Sequence, residues 1–231
     1  MKLFYLFFLP IITSFNIKKL IGNTIIGSSL FFNNVNPINA YPQIPFANEH
    51  MQSTKISVDH NNIYFYGSIT SDSCQTLKNK LNDLDFNSKL YKITYNLEPP
   101  PINLHIQSYG GSLMDTLYIA DLIEMIETPV NTYVDGYAAS AGSILSVVGK
   151  KRYMTNNSLI LIHQLSSGND GKFQELDDEM KNLQQLMNKI KQIYVKHTNI
   201  PYLQLTDLLK HDLWLDADTC KKLGLIDEII Q

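Results

Sequence analysis

Apolar and polar residues alternate along the chain with the period of a strand in some segments and of a helix in others. Residues 61–70, NNIYFYGSIT, combine β-branched and aromatic side chains and end in turn formers, which predicts a strand. Leucines then recur four and three residues apart within 71–85, which predicts a helix. Residues 86–101 are ambiguous, and the three prolines that close this stretch end any helix that reaches them.

The alternation continues through the middle of the chain. Apolar residues alternate in the predicted strand 102–108, and a Gly-Gly turn separates it from the predicted helix 112–128. Ser112 and Asp115 make a capping-box-like start for that helix. Residues 130–137, VNTYVDGY, predict the next strand.

Two further apolar runs complete the pattern. Residues 158–164, SLILIHQ, are apolar up to His163, as expected of a strand buried on both faces. Residues 223–230, LGLIDEII, predict the last strand. Strands that alternate with helices at crossover lengths predict an α/β fold with a parallel sheet and right-handed βαβ connections.

One helical segment, residues 172–197, carries a heptad pattern. Its apolar residues recur at spacings of four and three, and they are Leu176, Met180, Leu183, Met187, Ile190 and Tyr194. A long helix with one apolar stripe packs either on another helix or on the core of its own domain. The spacing leaves both interpretations open.

Residues 1–48 differ from the rest of the chain because they contain no Asp or Glu. Lys2 precedes the apolar run LFYLFFLPII, which has the length of a signal-peptide core and is too short for a membrane span. We therefore interpret 1–48 as a targeting segment that is removed and 49–231 as the folded domain. The alternative is a flexible N-terminal arm with a buried helix.

A signal-like start followed by an acid-free tract with lysines is typical of a two-part address. It favours a plastid (chloroplast) surrounded by extra membranes, with a mitochondrial or secretory compartment as the alternative. No stable membrane span is expected in the mature chain.

Composition narrows the function classes. The 19 Lys+Arg and 22 Asp+Glu nearly balance, which argues against a nucleic-acid-binding protein. Cys74 and Cys220 lie far apart without C-x-x-C spacing, so we expect two buried thiols and no redox or zinc motif. No G-x-x-x-x-G-K-[ST] loop occurs, so we expect no bound nucleotide in this chain.

Small residues surround one hydroxyl, that of Ser140, in DGYAASAGS, where a predicted strand gives way to a helix. The G-x-S-x-G elbow of hydrolases is not matched, since Ala138 replaces its first glycine. A serine at such a turn nevertheless exposes its oxygen, but it needs a base to act as a nucleophile. Among the six histidines, His163 ends the apolar strand, at the kind of edge where α/β folds assemble their sites. Taken alone, His163 also fits a structural histidine.

Four blocks occur in one order over roughly residues 60–231: IQSYGGS, DGYAASAGS, NNSLILIHQ and HDLWLDADTCKKLGLID. Together they resemble the proteolytic subunit of the ATP-dependent Clp protease. The resemblance implies a Clp protease/crotonase-like fold of repeated ββα units, with a parallel sheet and a protruding long handle helix. The heptad segment falls where that family has its handle helix, which joins two rings.

The resemblance also implies a serine peptidase site. Ser140 corresponds to the nucleophile, His163 to the general base and Asp212 to the carboxylate that orients the base. Spacing does not exclude three neighbouring acids as alternatives to Asp212, and these are Asp207, Asp216 and Asp218.

Similarity to the family places the oxyanion hole at the backbone N–H groups of Gly111 and Ala141. Two residues depart from the family pattern: Tyr109 replaces the usual proline before the two glycines, and Leu165 stands where a proline often follows His-Gln. Neither change removes a catalytic group.

The implied assembly is a homo- or hetero-oligomer of two stacked heptameric rings, which receives unfolded polypeptides from a hexameric AAA+ unfoldase. The resemblance also implies no metal, nucleotide or other cofactor in this chain, since ATP is used by that partner. An alternative function is a catalytically idle structural ring subunit. Another is a different member of the fold, a crotonase or a peptidase with a Ser–Lys pair, although no motif ties Lys150 or Lys151 to Ser140.

Overall fold

The computed structural model describes residues 54–230. Eight strands in this range form one sheet in the order β1-β2-β3-β4-β5-β8, with β6 beside β4 and β7 beside β6. The strands are β1 Lys55–Asp59, β2 Asn62–Tyr66, β3 Ile102–Ser108, β4 Val130–Ala139, β5 Arg152–Thr155, β6 Leu159–Leu161, β7 Trp214–Leu215 and β8 Glu228–Ile230. All neighbours pair in parallel except β1 with β2 and β6 with β7.

Six helices in the described range accompany the sheet. They are α1 Ser71–Tyr95, α2 Leu113–Met125, α3 Ala141–Val147, α4 Phe173–His197, α5 Tyr202–Leu208 and α6 Ala217–Leu223. The predicted α/β class is therefore confirmed. Two ββα units are visible in the element order, β1-β2-α1 and β5-β6-α4.

The core lies between one face of the sheet and the helices. In β3 every second residue is buried, and α1, α2 and α3 contribute buried apolar side chains to the same cluster. On the opposite face, aromatic rings from four adjacent strands stack with their centroids 4.6 to 4.7 Å apart, and they belong to Tyr64, His105, Tyr133 and Tyr153.

Helix α1 is longer than the sequence pattern predicts. It continues through most of the ambiguous stretch to Tyr95 and ends at Asn96, which has left-handed backbone dihedrals (φ 51°). Three apolar side chains of its second half are exposed, namely Phe86, Leu90 and Ile93. Because these side chains face solvent, the second half of the helix has no buried apolar stripe from which the sequence periodicity could predict it.

Strand β6 is shorter and less buried than predicted. It spans three residues, and the side chain of Leu159 is 37% exposed. Leu159 pairs with Tyr137 of β4, whose side chain is also only partly buried. The expectation of a strand buried on both faces is therefore wrong at this position.

The apolar stripe of α4 divides between two environments. Ile190 and Tyr194 are 4% and 1% exposed and belong to the core of the domain. Leu176 and Met180 are 41% and 64% exposed, and they lie nearer the start of the helix. The C-terminal half thus covers the core of its own chain, while the N-terminal half presents its stripe at the surface.

The two cysteines are buried, as predicted, at 3% and 0% exposure. Burial raises the pKa of Cys74 to about 11 and that of Cys220 to about 12. Within residues 54–230, no helix is both long and apolar enough to cross a membrane. The proposed targeting segment, residues 1–48, lies outside the described residues.

Candidate active site

Ser140 lies at the sharp turn between β4 and α3. Its dihedrals, φ 54° and ψ −124°, are rare for a residue other than glycine. Such a conformation costs on the order of 1–3 kcal/mol and is typical of functional turns. The residue occupies the cap position of α3, but its side chain makes no capping hydrogen bond. The half-buried hydroxyl is therefore not used to stabilise the helix.

The small residues around Ser140 allow two backbone segments to touch. A Cβ atom added at Gly110 would lie 2.8 Å from the Cβ of Ser140 and 2.8 Å from the carbonyl oxygen of Ala139. A Cβ at Gly142 would lie 3.0 Å from the carbonyl oxygen of Ser108. The glycine turn after β3 thus packs directly against the serine turn after β4, which explains why both turns lack bulk.

Gly111 and Ala141, the two proposed oxyanion donors, lie on these two turns. Gly111 forms a parallel bridge with Ile69, in which Ser112 N–H donates to Ile69 O (2.8 Å) and Ile69 N–H donates to Gly110 O (2.9 Å). This bridge does not use the N–H of Gly111 itself. As the first residue of α3, Ala141 has an N–H with no intrahelical acceptor.

His163 meets Asp212 because of the register between β6 and β7. Leu161, the last residue of β6, pairs with Trp214, the first residue of β7. Continuing this antiparallel register two residues past the end of β6 and two residues before the start of β7 sets position 163 opposite position 212. The Nδ1 atom of His163 lies 3.1 Å from Oδ1 of Asp212. The histidine side chain is 23% exposed and the aspartate side chain 61% exposed.

The same strand end is tied to the serine turn. The N–H of Ser140 donates to the carbonyl oxygen of Leu161 (2.9 Å), two residues before His163. The N–H of Gln164 donates to the carbonyl oxygen of Leu209 (2.6 Å), which holds the chain on the other side of the histidine. Backbone bonds therefore fix the segment around His163 from both sides.

Two of the three side chains proposed for catalysis are in contact. The His163–Asp212 contact does not have the alignment of a hydrogen bond. Within residues 54–230, the structure shows no hydrogen bond between Ser140 Oγ and His163. Catalytic hydrogen bonds are often long or poorly aligned before substrate binds.

The alternative carboxylates make other contacts. Asp207 pairs with Lys210 at 3.2 Å, and Asp216 caps α6 by accepting the N–H of Thr219 at 2.8 Å. Hydrogen bonds from Thr219 lower the pKa of Asp216. Asp218 lies in the first turn of α6. Of the four acids, Asp212 is the one in contact with His163.

Two other histidines contact carboxylates that sequence reasoning did not connect with them. Nδ1 of His105 lies 2.9 Å from Asp135, and Nε2 of His197 lies 2.7 Å from Glu124. Both pairs join different elements of the fold. No local sequence motif predicts either of these contacts.

Sequence comparison identifies the family. The family model described as Clp protease matches residues 48–231. The chain belongs to the Clp protease family. The match covers the whole described domain. The α/β fold, with its sheet and six helices in the described range, fits a Clp-type proteolytic subunit. Proteins of the Clp protease family generally form oligomeric rings with AAA+ partners.

Proposed function

We propose that this Clp protease family member is an active serine endopeptidase that hydrolyses peptide bonds of unfolded polypeptides. The observation that carries the proposal is the register of β6 and β7, which sets Asp212 against His163 at the strand end that binds the backbone of Ser140. This arrangement supports the proposal, because a serine peptidase needs a hydroxyl, an imidazole and a carboxylate that come from separate segments of the chain.

In the proposed mechanism, Oγ of Ser140 attacks the carbonyl carbon of a peptide bond. With Nδ1 of His163 facing Asp212, Nε2 is the nitrogen available to take the hydroxyl proton. The carboxylate of Asp212 stabilises the imidazolium that results. The carbonyl oxygen becomes an oxyanion held by the N–H groups of Gly111 and Ala141. Losing one such donor typically costs about 3 kcal/mol of barrier.

The tetrahedral intermediate then breaks its C–N bond, and His163 gives its proton to the leaving amine. This step leaves an ester between Ser140 and the acyl part of the substrate. Water attacks the ester while His163 again acts as the base, and the free serine is regenerated. The proposed chemistry is complete without a metal ion or a bound nucleotide in this chain.

The proposed assembly is two stacked heptameric rings of like or mixed subunits, fed by a hexameric ATP-driven AAA+ unfoldase. The exposed N-terminal half of α4 supports a contact between rings, because Leu176 and Met180 form an apolar stripe on that half. If the sites are enclosed in a chamber, selectivity depends first on which polypeptides gain access to the chamber. Side-chain preference at the site is then secondary.

We also propose that residues 1–48 direct the protein to a plastid. A fusion of this segment to a fluorescent protein tests this localisation.

The alternative function is a catalytically idle ring subunit. An idle subunit needs its surfaces but not its nucleophile, and the retention of Ser140, His163 and Asp212 favours the enzyme. The two functions differ in one measurable property, hydrolysis that depends on Ser140.

Hydrolysis of a small fluorogenic peptide by the full-length protein tests the proposal. We expect the wild-type protein to hydrolyse the peptide and Ser140→Ala to lose hydrolysis entirely, with the oligomer intact. Ser167→Ala, which changes an exposed serine in the loop after β6, is the matched control and should keep wild-type activity. Undiminished hydrolysis by Ser140→Ala would remove Ser140 as the nucleophile.

A further inference from the structure

A buried chain of hydrogen bonds joins helix α4 to the backbone of Ser140. The hydroxyl groups of Tyr194 on α4 and Ser143 on α3 are 2.7 Å apart. Oγ of Ser143 is also 2.6 Å from the carbonyl oxygen of Ser140. Tyr194 and Ser143 are 1% and 0% exposed, so water does not compete for these bonds.

The direction of the protons in this chain follows from the number of donors. A serine hydroxyl has one proton, and the carbonyl oxygen of Ser140 can only accept, so the proton of Ser143 Oγ points to Ser140. The short bond to Tyr194 must therefore be donated by the tyrosine. Burial raises the pKa of Tyr194, which keeps its hydroxyl protonated. The chain of hydrogen bonds therefore runs from Tyr194 O–H to Ser143 O–H to Ser140 C=O, and we call it the relay; no proton is transferred along it.

The carbonyl oxygen of Ser140 accepts a second bond, from the N–H of Ser143 at 3.0 Å. This carbonyl and the N–H of Ala141 belong to one planar trans peptide unit, in which they point in opposite directions. Holding the carbonyl towards α3 and α4 therefore turns the N–H of Ala141 the other way. A hydrogen bond accepted at the carbonyl also polarises the peptide unit and strengthens its N–H as a donor.

The turn needs such support because Ser140 has the rare dihedrals φ 54° and ψ −124°. A residue held in a sparsely populated conformation persists only where its surroundings enforce it. On one side of the residue the N–H of Ser140 is held by Leu161, and on the other side its carbonyl is held by Ser143. The bonds to the carbonyl therefore oppose a rotation of the peptide unit between Ser140 and Ala141 that would relax the strain.

We propose that Ser143 and Tyr194 are positioning residues for peptide hydrolysis, whose relay fixes the peptide unit between Ser140 and Ala141 and aims the Ala141 N–H at the oxyanion. The inference rests on the proposed serine peptidase function. It adds two side chains, one of them on the long helix α4, that act on the transition state without touching substrate.

Steady-state kinetics of Tyr194→Phe and Ser143→Ala in the full-length protein test the relay. The first variant removes only a hydroxyl and keeps the buried ring, and the second removes only Oγ. Because the oxyanion forms in the transition state, kcat should fall roughly 10-fold in each variant while KM stays within about twofold. The double variant should lose little more than the worse single variant, since both break one relay.

Two matched controls separate positioning from folding. Ser146→Ala removes another buried serine hydroxyl of α3, which donates only to the carbonyl of Ser143. Tyr133→Phe removes a tyrosine hydroxyl on the sheet face opposite the core, seven residues before Ser140. Both controls should keep wild-type kcat, whatever they do to the thermal unfolding midpoint.

The affinity of a peptide boronate, which forms a tetrahedral adduct on a serine, provides a second readout. It should weaken in Tyr194→Phe and Ser143→Ala by the same factor as kcat, at unchanged particle size. Wild-type kcat and boronate affinity in both variants would overturn the relay while leaving the proposed function standing. A wild-type protein that neither hydrolyses peptide nor binds the boronate would overturn the proposed function, and the relay with it.

Discussion

Asp212 is the most exposed of the three side chains proposed to act in catalysis. Its carboxylate is 61% exposed, and its contact with His163 is with a ring that is 23% exposed. An exposed ion pair contributes little to stability because water and salt screen it. Its proposed value is chemical, since a carboxylate at Nδ1 selects the tautomer of the imidazole that leaves Nε2 free to accept a proton.

We expect Asp212→Asn to lower kcat for a peptide substrate by about 100-fold or more, because the amide no longer selects the tautomer or stabilises the imidazolium. The measurement is steady-state hydrolysis of a fluorogenic peptide, with Asp207→Asn as the matched control. Asp207 pairs with Lys210 and should be replaceable without loss of activity. A kcat for Asp212→Asn within threefold of the wild-type value would contradict the assignment.

The residues of the candidate site differ in how well they could be predicted from the sequence. Ser140 and His163 could be singled out because one lies among small residues and the other ends an apolar run. Asp212 could not be separated from its neighbouring acids by spacing, since only the pairing of β6 with β7 places it. Tyr194 was predicted only as part of the apolar stripe of α4, and its contact with Ser143 could not be predicted because the two residues are 51 positions apart.

Among the elements, α4 is the one whose pattern had two interpretations, and each describes one half of the helix. Its C-terminal half packs on the core through Ile190 and Tyr194. Its N-terminal half keeps the same heptad spacing but leaves Leu176 and Met180 exposed. A charge at Ile190 would therefore damage the fold of the subunit, whereas a charge at Met180 changes only the surface.

We expect Leu176→Glu combined with Met180→Glu to yield smaller particles in sedimentation than the wild-type protein, because charges in an apolar helix contact oppose its burial. The thermal unfolding midpoint of the subunit should stay close to the wild-type value, since both residues are exposed. Asn182→Glu, which adds a charge on a different side of the same helix, should keep the wild-type particle size. An unchanged particle size in the double variant would contradict a contact between rings through α4.

Helix α1 shows why an element can escape the sequence pattern. Its second half is tied to a distant part of the chain by a polar contact, in which the buried Asp85 accepts the N–H of Thr128 (2.9 Å). Burial alone would raise the pKa of Asp85, but hydrogen bonds from Lys89 and Thr128 outweigh it and lower the pKa. Contacts between distant residues have no period along the chain, so the stretch 86–101 could not be assigned from sequence.

For the molecule as a whole, the α/β class and five of the eight strands in the described range, β2, β3, β4, β6 and β8, followed from apolar runs along the chain. The sheet also contains features that no alternation predicts, such as the antiparallel β1 and the short β7. Strand β4 illustrates the limit, because its first half pairs with β5 and its second half with β6. That switch places the end of β6 beside Ser140, and it depends on how three strands pack together.

The central claim is that Ser140 is a nucleophile activated by His163, and covalent labelling of the full-length protein with a fluorophosphonate tests it most directly. The account predicts one adduct per chain, located on Ser140 by mass spectrometry of the digested protein, and at least a 100-fold slower reaction in His163→Ala, because an unassisted serine stays protonated. An adduct on a different serine, or labelling of Ser140 at an undiminished rate in His163→Ala, would contradict it.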